Sequence, residues 1–147
     1  MNGVVGMTRL LLESDLDPQQ RDWADAAVLS AESLLTVIND VLDFSKVEAG
    51  MLNITCEPFN LYFTMRDAVQ MLRSQAEQKG LTLHLEYPAE APQYVIGDAV
   101  RVRQIVVNYI SNAVKFTETG GVCVKVEYND AWLISVTDSG IGIPSAK

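Results

Sequence analysis

The chain has 147 residues, 48% of them hydrophobic, which leaves room for one ordinary domain or for a small helical element beside one compact domain. Its 11 Lys and Arg residues against 19 Asp and Glu residues give a net charge of −8, which argues against nucleic acid as the main partner. The two cysteines, Cys56 and Cys123, have no C-x-x-C spacing, so the spacing indicates neither a zinc motif nor a disulfide framework.

The first 48 residues have the apolar spacing of two helices. A short helix is predicted first, and a long one from about Pro18 to Val47, since proline favours the first turn of a helix. The apolar stripe of the long helix is too broad for two helices to bury between themselves, so it predicts a four-helix bundle formed by a homodimer. The alternative is a long helix that packs on the rest of its own chain. The stripe consists of Trp23, Ala27, Ala31, Leu34, Ile38, Val41 and Val47.

After Gly50, a plausible helix stop, the pattern changes to short strands mixed with helices. Strands are predicted over residues 52–59, 81–87 and 94–97, with a helix over residues 61–79. Asp98 is expected to cap a second helix that reaches Phe116, and a hairpin is expected over residues 122–128 and 132–138. Antiparallel strands with both helices on one face predict a two-layer α/β sandwich.

Four residues of the helix after Asp98 share one face by their spacing, namely Asn108, Asn112, Lys115 and Phe116. An amide oxygen is a ligand that Mg²⁺ accepts, a lysine can pair with phosphate oxygens, and an aromatic ring can stack on a base. The set therefore favours a magnesium-nucleotide site. The alternative is that the asparagines cap or bridge loops and that Phe116 belongs to the core.

Asp138 ends the last predicted strand, and the alternation along that strand places it on the face toward the core. A carboxylate that points inward is costly unless it is hydrogen-bonded, and an adenine amino group would be one such donor. Gly140 and Gly142 would let the backbone pass close beneath the base. Alone, D-x-G-x-G is a weak signal that many turns match.

Two stretches carry a family resemblance. The stretch "NYISNAVKFT" resembles the N box of sensor histidine kinases, and "DSGIGIP" resembles their G1 box. The stretches "MNGVVGMTRLL" and "LLTVINDVLDFSKVEAG" are similar to the dimerisation and histidine-phosphotransfer hairpin of hybrid histidine kinases. The resemblance implies an α+β chain: a truncated helical hairpin over residues 1–50, half of a dimeric bundle, and a truncated ATP-binding sandwich of the Bergerat type over residues 51–147.

By position, the resemblance implies ATP and Mg²⁺ as cofactors and Asn112 as the metal ligand. Asn108 becomes a polar companion near the metal, Lys115 a phosphate contact, and Phe116 the aromatic beside the base. Asp138 becomes the carboxylate that reads the adenine amino group, with Gly140 and Gly142 as the floor. Members that hydrolyse ATP carry a glutamate four residues before the metal asparagine to activate water, so Asn108 favours a kinase over a hydrolase.

The resemblance implies a protein-histidine kinase whose parent moves the ATP γ-phosphoryl group to its own histidine and then to an aspartate of a response-regulator receiver. It places the acceptor histidine before Met1 and the ATP lid after Lys147, so we expect these 147 residues not to phosphorylate themselves. His84 alternates with apolar neighbours and is expected to face solvent. The alternative function is a non-catalytic dimerisation module with a degenerate nucleotide site.

No apolar run approaches the roughly 20 residues of a membrane span. The cysteine usage suits a reduced, intracellular setting. With the resemblance, these observations predict a cytoplasmic location, reaching a membrane only through segments of a longer parent.

Overall fold

The computed structural model describes residues 2–142 and divides the chain into two compact units, one up to Asn53 and one from Ile54 onward. The first unit is a helical hairpin of α1 (Asn2–Leu12) and α2 (Pro18–Glu48), as predicted. The second unit contains, in chain order, β1 (Glu57–Asn60), α3 (Leu61–Gln78), β2 (Thr82–Glu86), β3 (Tyr94–Gly97), α4 (Ala99–Phe116), β4 (Gly121–Asn129) and β5 (Ala131–Asp138).

The long helix α2 has strong local signals at both ends. Asp17 Oδ1 accepts the Gln20 N–H at 2.8 Å, and Gln20 Oε1 accepts the Asp17 N–H at 3.2 Å, a reciprocal capping box. Gly50 follows the last turn with a left-handed φ of 66°, a conformation that costs glycine little. These signals set the bounds of the helix independently of its packing.

None of the hairpin side chains whose burial the structure describes is buried. Half-buried residues of α2, including Val28 and Leu35, occupy the spacing of one stripe, while Trp23, Val41 and Phe44 are 64%, 58% and 62% exposed. A second apolar stripe is therefore left uncovered within the hairpin.

The α/β unit has its own core. Both helices cover one face of the three-stranded sheet β2-β4-β5, as predicted, and Met65 of α3 and Ile110 of α4 are fully buried against it. Val122, Val124 and Val126 alternate inward along β4, where burying each side chain contributes about 1.5–3 kcal/mol. The intervening residues of β4 lie on the outer face of the same sheet.

The prediction of antiparallel pairing is wrong for one strand pair. β4 pairs antiparallel with β5 and β1 with β3, but β2 and β4 are parallel, with Thr82 opposite Gly121. The chain between β2 and β4 contains β3 and all of α4, which is long enough for the crossover that parallel strands need. The second sheet, β1-β3, is separate.

The predicted strand over residues 52–59 begins too early. β1 starts at Glu57, because its partner β3 offers only Tyr94–Gly97 for pairing. Ahead of it, Thr55 donates its N–H to Asp98 Oδ2 at 3.1 Å instead of to a strand. Among residues 2–142, no helix has both the length and the apolar character needed to cross a bilayer.

Candidate functional site

A cavity of about 420 Å³ lies between the C-terminal half of α4 and the end of β5. A volume of this size falls within the range of small-molecule sites, roughly 300–1,000 Å³. On α4 its residues follow the spacing i, i+3, i+4, i+7, so one helical face forms the wall. The lining residues are Tyr109, Asn112, Ala113, Phe116, Val136, Asp138, Ile141 and Gly142.

The lining is mainly apolar, with the Asn112 amide, the Asp138 carboxylate and the Tyr109 hydroxyl as its polar side-chain groups. A few polar groups in an apolar wall are typical of sites that orient a flat, heteroatom-rich ligand. Phe116 is half exposed, so its ring offers a surface on which a base can stack.

The structure brings Asn112, Phe116, Asp138 and Gly142 together, and it places Asn108, Lys115 and Gly140 outside the cavity lining. Asn108 is exposed, and the Lys115 Nζ lies 5.3 Å from the centroid of the Phe116 ring. The cavity face of α4 is thus centred on Tyr109 and Ala113. Sequence reasoning found Asn112 and Phe116 on this face and missed Tyr109 and Ala113, because it began from residue types with distinctive chemistry.

Asp138 is on the predicted face of β5 but is exposed, so the expected penalty for an inward carboxylate does not arise. Its Oδ1 accepts the Gly140 N–H at 2.8 Å, closing a tight turn directly after the strand. Among the residues the structure describes, Oδ2 has no hydrogen-bond donor and can accept one from a ligand.

Gly140 is needed for a reason other than the predicted floor beneath a base. A Cβ at this position would lie 2.6 Å from the Phe116 carbonyl oxygen, which ends α4. Glycine therefore lets the loop after β5 pass directly against the last turn of that helix. Gly142, which does line the cavity, has a left-handed φ of 68°.

Ser139 fixes this loop and was not singled out from the sequence. Its Oγ donates to the Thr119 carbonyl at 2.8 Å and accepts the Gly121 N–H at 3.1 Å. Its own N–H donates to the Gly121 carbonyl at 3.2 Å. The three bonds hold Asp138 and Gly140 beside the turn that follows α4.

Lys79, just after α3, supports α4, the helix that forms one wall of the cavity. Its Nζ donates to the carbonyl oxygens of Val114 and Lys115 at 2.8 and 2.9 Å, two groups that have no partner within α4. The contact joins residues far apart in the chain, so only the arrangement of the helices reveals it.

Asp98 fixes the opposite end of α4. Its Oδ1 accepts the N–H groups of Val100 and Arg101, both at 3.0 Å, and its Oδ2 accepts the Thr55 N–H. These bonds, the one from Arg101 foremost, hold the pKa of the carboxyl below its usual value. The cap was predicted from the sequence, whereas the bond from Thr55 was not.

Two family models match the chain. Residues 1–50 match the His Kinase A (phospho-acceptor) domain, and residues 97–147 match the histidine kinase-, DNA gyrase B- and HSP90-like ATPase. The second match contains every residue of the cavity. This match includes both stretches that resemble the N box and the G1 box of sensor histidine kinases.

The signal transduction histidine-protein kinase BarA of Escherichia coli strain K12 is 43% identical over 98% of this chain, which spans 16% of BarA. The sensor histidine kinase GacS of Pseudomonas protegens is 40% identical over 97% of the chain, again 16% of that protein. The chain thus corresponds to about a sixth of the length of these relatives.

Solved structures agree with the fold. Full-length ShkA in complex with AMPPNP superimposes with a TM-score of 0.76 at 33% identity, covering 98% of this chain and 31% of ShkA. The histidine kinase ThkA, in complex with response regulator TrrA, gives a TM-score of 0.65 at 18% identity, covering 97% of this chain and 42% of that one.

Proposed function

The chain belongs to the family of sensor histidine kinases, and we propose on this premise that its cavity binds the adenine end of ATP. The observation that carries the proposal is the meeting of Asn112, Phe116 and Asp138 around one mainly apolar cavity. That ShkA was solved with AMPPNP supports an adenine nucleotide as the ligand class.

Asp138 accepts the adenine amino group in this proposal. Its Oδ1 is held by Gly140, so Oδ2 is the acceptor, and its position is fixed by the loop that Ser139 holds. Guanine carries an oxygen where adenine carries the amino group. The carboxylate would therefore repel guanine, and the site should discriminate between the two bases.

Asn112 is the proposed Mg²⁺ ligand, because its exposed amide offers the type of oxygen that this ion accepts. When bound, Mg²⁺ neutralises charge on the phosphate oxygens. Asn108 and Lys115 lie outside the cavity lining, and in this proposal they contact the phosphate end of the nucleotide. Lys115 would then leave its position over Phe116.

In the longer protein, we propose, residues 1–50 form the dimerisation and phosphotransfer hairpin and residues 51–147 belong to the catalytic domain. The γ-phosphoryl group would pass to a histidine and then to an aspartate of a response-regulator receiver. The acceptor is not among these 147 residues, since their single histidine, His84, lies on an outer strand of the sheet.

The test compares ATP with GTP binding to the chain by titration calorimetry in the presence of Mg²⁺. Asp138→Asn should weaken ATP binding by about 10- to 100-fold, the worth of a hydrogen bond to a charged group, and should reduce the preference for ATP over GTP. Asp67→Asn, the same change at an exposed position of α3, should leave both affinities unchanged. Equal ATP and GTP affinities in the unaltered chain would refute the role of Asp138.

A separate experiment tests the proposed role of Asn112 as the Mg²⁺ ligand. Asn112→Ala should remove most of the difference between ATP affinities measured with Mg²⁺ and with EDTA, while leaving the affinity in EDTA nearly unchanged. Asn108→Ala, on the same helix but outside the cavity lining, should have the smaller effect. An unchanged Mg²⁺ dependence in Asn112→Ala would exclude this residue as the ligand.

The uncovered stripe of the hairpin favours a second candidate, a dimerisation module with a degenerate nucleotide site. In that case the chain would form dimers yet bind no ATP at millimolar concentration with Mg²⁺. Radiolabelled ATP gives a further check: we expect no acid-labile label on the chain. Label that disappears in His84→Gln would identify an unexpected acceptor.

A further inference from the structure

The outer face of the sheet β2-β4-β5, opposite the two helices, carries a cluster of three metal-ligating side chains. His84 and Glu86 are two residues apart on β2 and therefore share a face, and the parallel register puts Cys123 of β4 directly opposite His84. One ligand atom from each lies within 4.8 Å of the other two, and His84 Nε2 is 3.6 Å from Glu86 Oε1.

We propose that His84, Glu86 and Cys123 bind one zinc-like divalent ion. Imidazole nitrogen, thiolate sulfur and carboxylate oxygen are the three ligand types of protein zinc sites, and three protein ligands leave a fourth position for water. The cluster lies on the opposite face from the cavity between α4 and β5. The proposal therefore stands independently of the nucleotide role.

The present separations are close to those of a loaded site. Zinc–ligand bonds of 2.0–2.3 Å in a tetrahedron put ligand atoms about 3.3–3.8 Å apart, so the side chains need to close by roughly 1 Å. The side chains of His84 and Glu86 are 55% and 54% exposed, so both can turn without disturbing the core. An ion can also reach them directly from solvent.

The charges around the cluster bear on how an ion would bind. Burial and the Glu86 carboxylate raise the pKa of the Cys123 thiol, so an ion that binds there must displace the thiol proton. Lys125 lies on the same face, but its Nζ is held 2.9 Å from Glu127 Oε1. The Lys125 ammonium group thus has its own carboxylate partner outside the cluster.

The ion would join β2 to β4 on the side that the helices leave uncovered. In the next strand, Thr137 pairs with Cys123 and directly precedes Asp138. A loaded site should therefore stabilise the whole α/β unit by mass action, in proportion to the free ion concentration.

The test uses the purified chain without a histidine tag, titrated with Co²⁺ as a spectroscopic substitute for Zn²⁺. We expect one equivalent to produce a near-ultraviolet thiolate-to-cobalt charge-transfer band that added Zn²⁺ removes. Cys123→Ser should abolish the band, whereas Cys56→Ser, which changes the other, exposed thiol, should retain it. Far-ultraviolet circular dichroism checks that each variant folds.

The remaining ligands are tested by affinity in a Zn²⁺ competition assay with a chromophoric chelator. Changes that merely reorient metal ligands cost about 10- to 100-fold, so His84→Gln and Glu86→Gln should each weaken binding at least that much. Absence of the band in the unaltered chain, or its loss in Cys56→Ser, would overturn the proposal. Unchanged affinity in both His84→Gln and Glu86→Gln would reduce the site to a single thiol and refute it as well.

Discussion

The helical hairpin and the α/β unit both contain many apolar residues, but only the α/β unit buries such residues within its own fold. Every buried apolar side chain among the described residues lies in the α/β unit, from Leu61 to Val126. The hairpin instead presents Trp23, Val41 and Phe44 on a continuous exposed stripe. The contrast indicates that the second unit is stabilised internally, whereas the first leaves much of its apolar surface exposed.

The largest effect is expected from emptying the core of the α/β unit. Ile110→Ala removes a fully buried side chain and should lower the free energy of unfolding by about 2–5 kcal/mol. Urea denaturation measures this loss. Ile105→Ala, on the exposed part of the same helix, should cost far less, and equal losses at both positions would contradict an internally stabilised unit.

The next effect concerns the proposed homodimer of the hairpin. Val41→Glu places a charge in the exposed stripe and should raise the dimer dissociation constant by about 100-fold or more, since a buried unpaired charge is costly. Analytical ultracentrifugation gives the constant. Thr36→Glu adds the same charge away from the stripe and should leave it unchanged; a chain that is monomeric without any substitution would remove the basis for the dimer.

A smaller effect is expected from the support beneath the cavity. Lys79→Met keeps the apolar stem but loses two hydrogen bonds to the end of α4, which should lower the free energy of unfolding by about 1 kcal/mol and weaken ATP binding. Lys46→Met, in the last turn of α2, should cost only about 0.3–1 kcal/mol through the helix dipole and leave ATP binding unaltered. Equal ATP affinity in both variants would show that Lys79 does not position the cavity wall.

The smallest effect at neutral pH is expected at Asp98. Its folded pKa lies below the usual 3.8, so its contribution to stability is complete above that value and is lost as pH falls through the folded pKa. Asp98→Asn keeps the cap but removes the titration, so the loss of stability as pH falls from about 4 through the folded pKa should become shallower. Urea midpoints across this range decide the matter, and parallel curves for both proteins would exclude Asp98 as a contributor.

Features set by neighbouring residues could be predicted from the sequence. Local chemistry predicts the helix ends at Asp98 and Gly50, the short strand β3 and the helices α2 and α4. The structure confirms these elements. The parallel pairing of β2 with β4 could not be predicted in this way, because pairing direction depends on where the crossover places the chain. The same applies to the bonds of Lys79 and Ser139, whose partners are distant in the sequence.

The lining of the cavity between α4 and β5 was anticipated only in part, for a related reason. Residue type identified Asn112, Phe116 and Asp138, and the structure places all three at the cavity. Residue type also drew attention to Asn108 and Lys115, while the cavity face of α4 includes the less distinctive Tyr109 and Ala113. Which side of a helix faces a cavity is decided by the sheet against which it packs.

The close approach of Gly140 to the Phe116 carbonyl has a consequence for redesign. Because backbone meets backbone at this point, the distance between the two walls of the cavity does not depend on the side chains that line it. Trimming Tyr109 or Ile141 should therefore enlarge the space for a bulkier base while the walls stay in place. A nucleotide analogue with an enlarged base could then be matched to a variant of this chain and excluded from the unaltered one.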